Sequence, residues 1–193
     1  MNTISASWRC RVARSTLLAL LLLAGSVVAS FGATVTWTGA GGDDSWHNKT
    51  NWNTLAVPGG ADDAVINTAT TVIHTNGNTT VRSLQCATAF SLLGGAMTVT
   101  DGASQVAGAF AMGANASLIA SGPTATCTIS NATLADSANF AAVSGATLMV
   151  GGLAAYQKPH CNDAYWQAIG PGSRLTFPSL LNLAGNPSCG WLR

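Results

Sequence analysis

From Ala64 to about Tyr156 the chain is a succession of short apolar-polar alternations, among them TTVIHT, TTVRSLQ, AMTVTDG, SLIAS, TCTIS and ATLMVGG. Each run is too short for a stable helix and has the period of two that turns one face of a strand inward. Turn-forming pairs such as Asn76-Gly77 and Asp101-Gly102 fall between the runs. This pattern restricts the fold more tightly than anything else in the chain, because strands this short are stable only when neighbours pair with them.

Three segments line up: LQCATAFSLLGG (84–95), FAMGANASLIASG (110–122) and FAAVSGATLMVGG (140–152). In each, a large apolar residue precedes a leucine by eight positions: Leu84 and Leu92, Phe110 and Leu118, Phe140 and Leu148. The starts lie 26 and 30 residues apart. An uneven period of this size predicts an all-β, right-handed parallel β-helix, whose coils tolerate insertions at their corners because each needs only to stack on the next. An antiparallel β-sandwich is the alternative, since short strands at regular spacing also fit one.

Composition points the same way. All seven acids are Asp, with no Glu, and only Lys49 and Lys158 remain beyond residue 29, so residues that favour exposed helices are scarce. The apolar fraction is 48%, but much of it is alanine, which predicts a thin core.

The first 29 residues read as a signal peptide. Arg9, Arg11 and Arg14 precede the apolar block TLLALLLLAGSVVAS, which Gly25 and Ser26 break before the roughly twenty residues of a membrane span, and small residues suit cleavage after Ala29 or Gly32. No stable membrane span is expected in the mature chain. Without this segment the chain holds five Lys+Arg against seven Asp, which argues against nucleic-acid binding. In an exported chain Cys86, Cys127, Cys161 and Cys189 are disulfide candidates, with Cys161–Cys189 the preferred pair and free buried thiols the competing reading for Cys86 and Cys127.

Between signal peptide and repeats lies TWTGAGGDDSWHNKTNWNTLAVPGGADDAVIN, with Trp37, Gly39, Gly41, Gly42, Trp46, Asn51, Trp52, Pro58, Asp62, Asp63, Val65 and Ile66 in the spacing W-x-G-x-G-G-x(3)-W-x(4)-N-W-x(5)-P-x(3)-D-D-x-V-I. This stretch resembles the start of large bacterial surface and autotransporter-like proteins whose passenger is a β-helix. The resemblance implies an exported, elongated surface or adhesin-like protein without catalysis of its own and without a cofactor. A glycan or a host cell surface is the partner class it implies. This chain is shorter than such proteins usually are and shows no membrane-barrel segment.

The expected organisation is a signal peptide over 1–29, a Trp-rich N-terminal cap over 30–63, β-helix coils over 64–156, an irregular loop over 157–174, and a further coil or truncated end over 175–193. In the cap, tryptophans cover apolar surface, glycines make tight turns, and Asp43, Asp44 and Asn51 accept backbone N–H bonds. Two ligand readings compete with it: Trp37, Trp46 and Trp52 exposed for stacking on sugar rings, as in a carbohydrate-binding module, and Asp43, Asp44, Asp62 and Asp63 as oxygen ligands for calcium.

Enzyme signals are weak. No G-x-S-x-G, H-E-x-x-H or phosphate-binding loop occurs, and His47, His74 and His160 fall in a cap, a strand and a loop. His160 beside Cys161 and Asp163 is a poor nucleophile arrangement on a loop. A polysaccharide-degrading β-helix would have only Asp101, Asp136 and Arg82 in the repeats to draw on.

Overall fold

A computed structural model describes residues 32–68, 70–135, 137–157 and 163–185. The expected signal peptide, the Cys161–Cys189 pair, His160 and Asp136 lie outside them. The described chain is a parallel β-solenoid. Its strands are β1 (Thr34–Thr36), β2 (Asp63–Ile66), β3 (Thr71–His74), β4 (Asn78–Val81), β5 (Ser83–Cys86), β6 (Ala89–Leu92), β7 (Ala96–Val99), β8 (Ala103–Met112), β9 (Ser117–Ser121), β10 (Thr126–Ala135), β11 (Asn139–Val143), β12 (Thr147–Val150), β13 (Ala155–Gln157), β14 (Trp166–Ile169), β15 (Arg174–Thr176) and β16 (Asn182–Ala184).

Every strand ladder is parallel, which rules out the antiparallel sandwich. Each regular coil has three faces. The first face stacks β1, β2, β5, the front of β8, the front of β10, β12 and β15. The second stacks β3, β6 and the back halves of β8 and β10, and the third stacks β4, β7, β9, β11 and β14. In the third and fourth coils one ten-residue strand covers two faces, and register shifts after Ile129 and after Ala132 accompany its passage from one to the other.

Pairing fixes the repeat. Asp63 pairs with Ser83, Cys86 with Val106, Ala103 with Thr126, Thr126 with Thr147 and Thr147 with Arg174. Measured along the first face, coils are therefore 20 to 23 residues long until an excursion lengthens the fifth, and on the other two faces the first step is 18, not the 26 and 30 read from the three aligned segments. The reason is geometric. Leu84 lies on the first face, Phe110 on the second and Phe140 on the third, so that alignment moves on by one coil and one face at each step. The eight-residue spacing within each segment is the distance from one inward position to its counterpart on the next face.

Alternation along each strand sends every second side chain inward, and parallel register stacks these into columns. On the second face Val72, Phe90, Phe110 and Ala132 form one column, with the rings of Phe90 and Phe110 stacked 6.2 Å apart. On the third face Thr79, Met97, Leu118, Phe140 and Trp166 form another. Alanines such as Ala120, Ala142 and Ala146 are fully buried in the same core, which keeps the interior narrow.

Three expectations change. The segment expected to be an irregular loop over 157–174 contains β14, a third-face strand paired with β11 from Phe140↔Trp166 to Val143↔Ile169. Burial does not alternate along this strand, Trp166 and Gln167 being half-buried and Ala168 and Ile169 exposed, so period two gives no sign of it. The segment expected to be cap over 30–63 already contributes β1 to the first face. Cys86 and Cys127 are free, buried thiols and not disulfide partners. Cys86 stacks on Val106, whereas Cys127 stacks on Ser104, so they belong to different columns with a whole coil between them. Two coil rises separate them by roughly 10 Å, beyond disulfide reach.

Burial alone pushes the Cys127 thiol up to about 12. Among variants retaining one cysteine each, Cys127 is expected to react with a thiol-specific chromogenic disulfide only after denaturant is added; fast labelling of the native protein would show that this column is open. Phe110→Ala removes the ring held between Phe90 and Ala132 and is expected to cost about 3–5 kcal/mol in urea unfolding.

Candidate functional site

The sequence stretch richest in chemistry folds into a rudimentary coil ahead of the first regular one. Ser45 bridges Ile73 in parallel, with Trp46 N–H donating to Ile73 O at 2.9 Å and Ile73 N–H to Asp44 O at 2.8 Å. With β1 on the first face, this extends two faces of the solenoid beyond β2 and β3. Trp37 and Trp52 form an antiparallel bridge across the interior.

The tryptophans fill that interior. Trp37, Trp46 and Trp52 are 2%, 0% and 1% exposed. Their rings meet edge to face, Trp52 lying 5.1 Å from Trp37 and 4.8 Å from Trp46, and Trp46 reaches Phe90 at 5.8 Å. Sugar stacking needs an exposed indole face, so the expectation of a stacking platform on these three residues is corrected: their faces are spent on one another and on the first coils.

Asn51 holds the turn. It is fully buried, caught in a short 3-10 turn over Lys49–Asn51, with Asn48 at its start. Its Oδ1 accepts from Gly41 N–H at 2.8 Å, and its Nδ2 donates to Asp43 Oδ1 at 2.7 Å, Asp43 O at 3.0 Å and Ser45 O at 3.1 Å. Its carbonyl accepts from Thr38 N–H at 2.6 Å. Gly41 has no room for a side chain here, since a Cβ would lie 2.6 Å from the Asn51 Oδ1. Asn48, Asn51 and the Ser45 N–H donate to Asp43 and hold its carboxyl below the usual carboxylate range.

The four aspartates suggested as calcium ligands do not converge. Asp43 is engaged as above, and Asp44 accepts from the Thr70 hydroxyl at 2.7 Å. Asp62 accepts from Gly59 N–H at 2.8 Å, while Asp63 pairs with Arg82 and accepts from the Ser83 hydroxyl. No group of three or more His, Cys, Asp or Glu suited to a metal occurs among the described residues. Arg82 also lies 3.7 Å from Asp101, so two of the three residues weighed for polysaccharide cleavage belong to a charge stack along one corner.

A cleft of about 310 Å³ opens beside this turn, lined by Trp37, Thr38, Gly39, Gly42, Asp43, Asp44, Thr68 and Thr70. It brings together Trp37, Asp43 and Asp44 and leaves out Trp46, Trp52, Asp62 and Asp63. Two groups at its wall, Trp37 Nε1 and Thr68 Oγ1, are buried without a hydrogen-bond partner in the structure.

Sequence reasoning treated the histidines as scattered, yet the fold sets the His47 ring 4.6 Å from His74. His74 is fully buried in an inward column with Leu92 and Met112. Its Nδ1 lies 3.0 Å from Gly94 O, which only accepts, so Nδ1 carries the proton; the neutral Nε2 then accepts from the Thr79 hydroxyl at 2.9 Å. The signal was legible in TVIHT, where period two puts His74 on the same face as Val72.

Burial, with a smaller contribution from neighbouring His47, pushes the His74 imidazole below its ordinary value. The unfolded chain then binds the extra proton first as pH falls below about 6.5, so folding stability is expected to be full above that pH and to decline progressively below it. Urea midpoints across pH 5 to 8 check this, and the decline should shrink in His74→Gln.

No family model, curated protein or solved structure matches this chain.

Proposed function

We propose that this chain is an exported β-solenoid acting as a structural or adhesive element at a cell surface, without catalysis of its own. The observation that carries the reading is how the side chains are spent. Apolar groups fill most inward columns, while the third-face outward row Asn78, Ala96, Ser117 and Asn139 is small and uncharged. Such a wall of paired parallel strands is stiff and presents hydroxyl and amide groups at the coil spacing, which suits passive contact with a glycan or a host surface.

Aspartates that might serve acid-base chemistry are tied up in the turn and in the corner charge stack. The carbohydrate-binding alternative keeps one specific support, the cleft beside Trp37. Polysaccharide cleavage gains no comparable geometry from Arg82 and Asp101.

Expression of the full chain in a bacterial host, followed by cell fractionation and mass determination, tests export. The expected product lies outside the cytoplasm and lacks residues 1–29, while a chain starting at Ser30 stays inside. Full-length protein retained in the cytoplasm would sink the surface reading.

A further inference from the structure

We propose that the cleft beside the N-terminal turn binds a neutral polyol, one sugar unit of a glycan, through the Trp37 indole N–H, the Thr68 hydroxyl and the Asp43 and Asp44 carboxylates. The first ground is the pair of orphaned groups. Trp37 is 2% exposed and its Nε1–H has no acceptor, Thr68 Oγ1 is likewise unpartnered, and both residues line the same cleft. Buried polar groups are nearly always satisfied, so two unpaired ones on one wall mark a place where something polar is missing. The volume, about 310 Å³, falls at the small end of the range for small-ligand sites.

The donor and acceptor types select the ligand. An indole N–H needs an acceptor, a carboxylate needs a donor, and a hydroxyl supplies either. A metal cation would answer Asp43 and Asp44 but leave the N–H unpaired. An anion would accept from the N–H but be repelled by both carboxylates. An alcohol serves both, and adjacent hydroxyls of a sugar ring serve several such groups at once.

The wall is also built to be approached. A Cβ on Gly39 would lie 3.5 Å from Trp37 Nε1, which places the donor beneath the Gly39–Gly42 turn. Gly39 and Gly42 have φ of +68° and +75°, and nothing lies within 4 Å of a Cβ on Gly42. At Gly39 the turn carries no side chain over the buried donor, so a small local shift of that turn opens it to an entering hydroxyl.

For its biological setting this assignment rests on the adhesive reading; its chemistry is tested separately, on purified full chain. Protein labelled at the indole nitrogens is titrated with glucose, galactose, mannose and N-acetylglucosamine, and with calcium chloride in parallel. The Trp37 indole signal, identified by its loss in Trp37→Phe, is expected to move saturably with at least one sugar. Thr68→Val is expected to weaken that affinity about fivefold, the effect of one neutral hydrogen bond, with the melting temperature unchanged because the Thr68 hydroxyl has no partner to lose. A Trp37 signal that no sugar moves saturably, an affinity untouched by Thr68→Val, or a signal that answers calcium alone would each overturn the assignment. Failure of export would leave these measurements as they stand.

Discussion

Parallel pairing in register forces like positions onto like, and this constraint organises the molecule. Adjacent coils sit about 4.8 Å apart, so an inward residue must tolerate the one directly beneath it as its closest neighbour. Phe90 under Phe110 and Met97 under Leu118 satisfy this by stacking. Cys127 under Leu148 does so as a small apolar group with its thiol kept protonated. His74, like Thr79 and Ser104, is a polar residue in an inward column, and its two hydrogen bonds, to Gly94 and Thr79, are what make a ring nitrogen tolerable there.

The same constraint means that the first regular coil, too, needs a layer beneath it. The chain meets that problem with an imperfect extra coil rather than a foreign lid: β1 and the Ser45–Trp46 bridge continue two ladders, and three indoles replace the columns that four-residue strands would have supplied. Asn51 ties this coil's turn together from within, its one amide accepting from Gly41 and donating to Asp43 and Ser45.

Much of the architecture could be read from the residues, because period two and turn pairs are local. TVIH, AMTV and SLIAS each declare a strand and its buried face, and they are strands with that face buried. Coil length was misread because the three faces are built from the same small residues, so a segment of one face matches the next face as well as it matches its own. The strand Trp166–Ile169 was missed for the opposite reason: its surroundings in sequence are aromatic and irregular, and only pairing with β11 makes it a strand. For the N-terminal site, composition announced polar turns and tryptophans but not exposure, since whether an indole faces solvent or another indole depends on contacts between Trp37 and Trp52 fifteen residues apart. Which of the paired acids share a cleft was equally invisible: Asp44 meets Thr70 across the first coil with Asp43 beside it in the cleft wall, while Asp63 turns toward Arg82 in the next.

Where the second face gives way to the third, backbones of successive coils touch. A Cβ on Gly95 would fall 1.9 Å from the Gly77 carbonyl oxygen, and one on Gly113 would fall 2.5 Å from that of Leu93. This corner acts as a gauge of coil length. A coil gained or lost by recombination has to keep this corner in phase with those above and below, through a glycine or, as in the fourth coil, through Ser137 at φ +48°, so the protein's length can change in whole turns of about twenty residues far more readily than by single residues. The extra residues of the fifth coil lie on the path between β12 and β15.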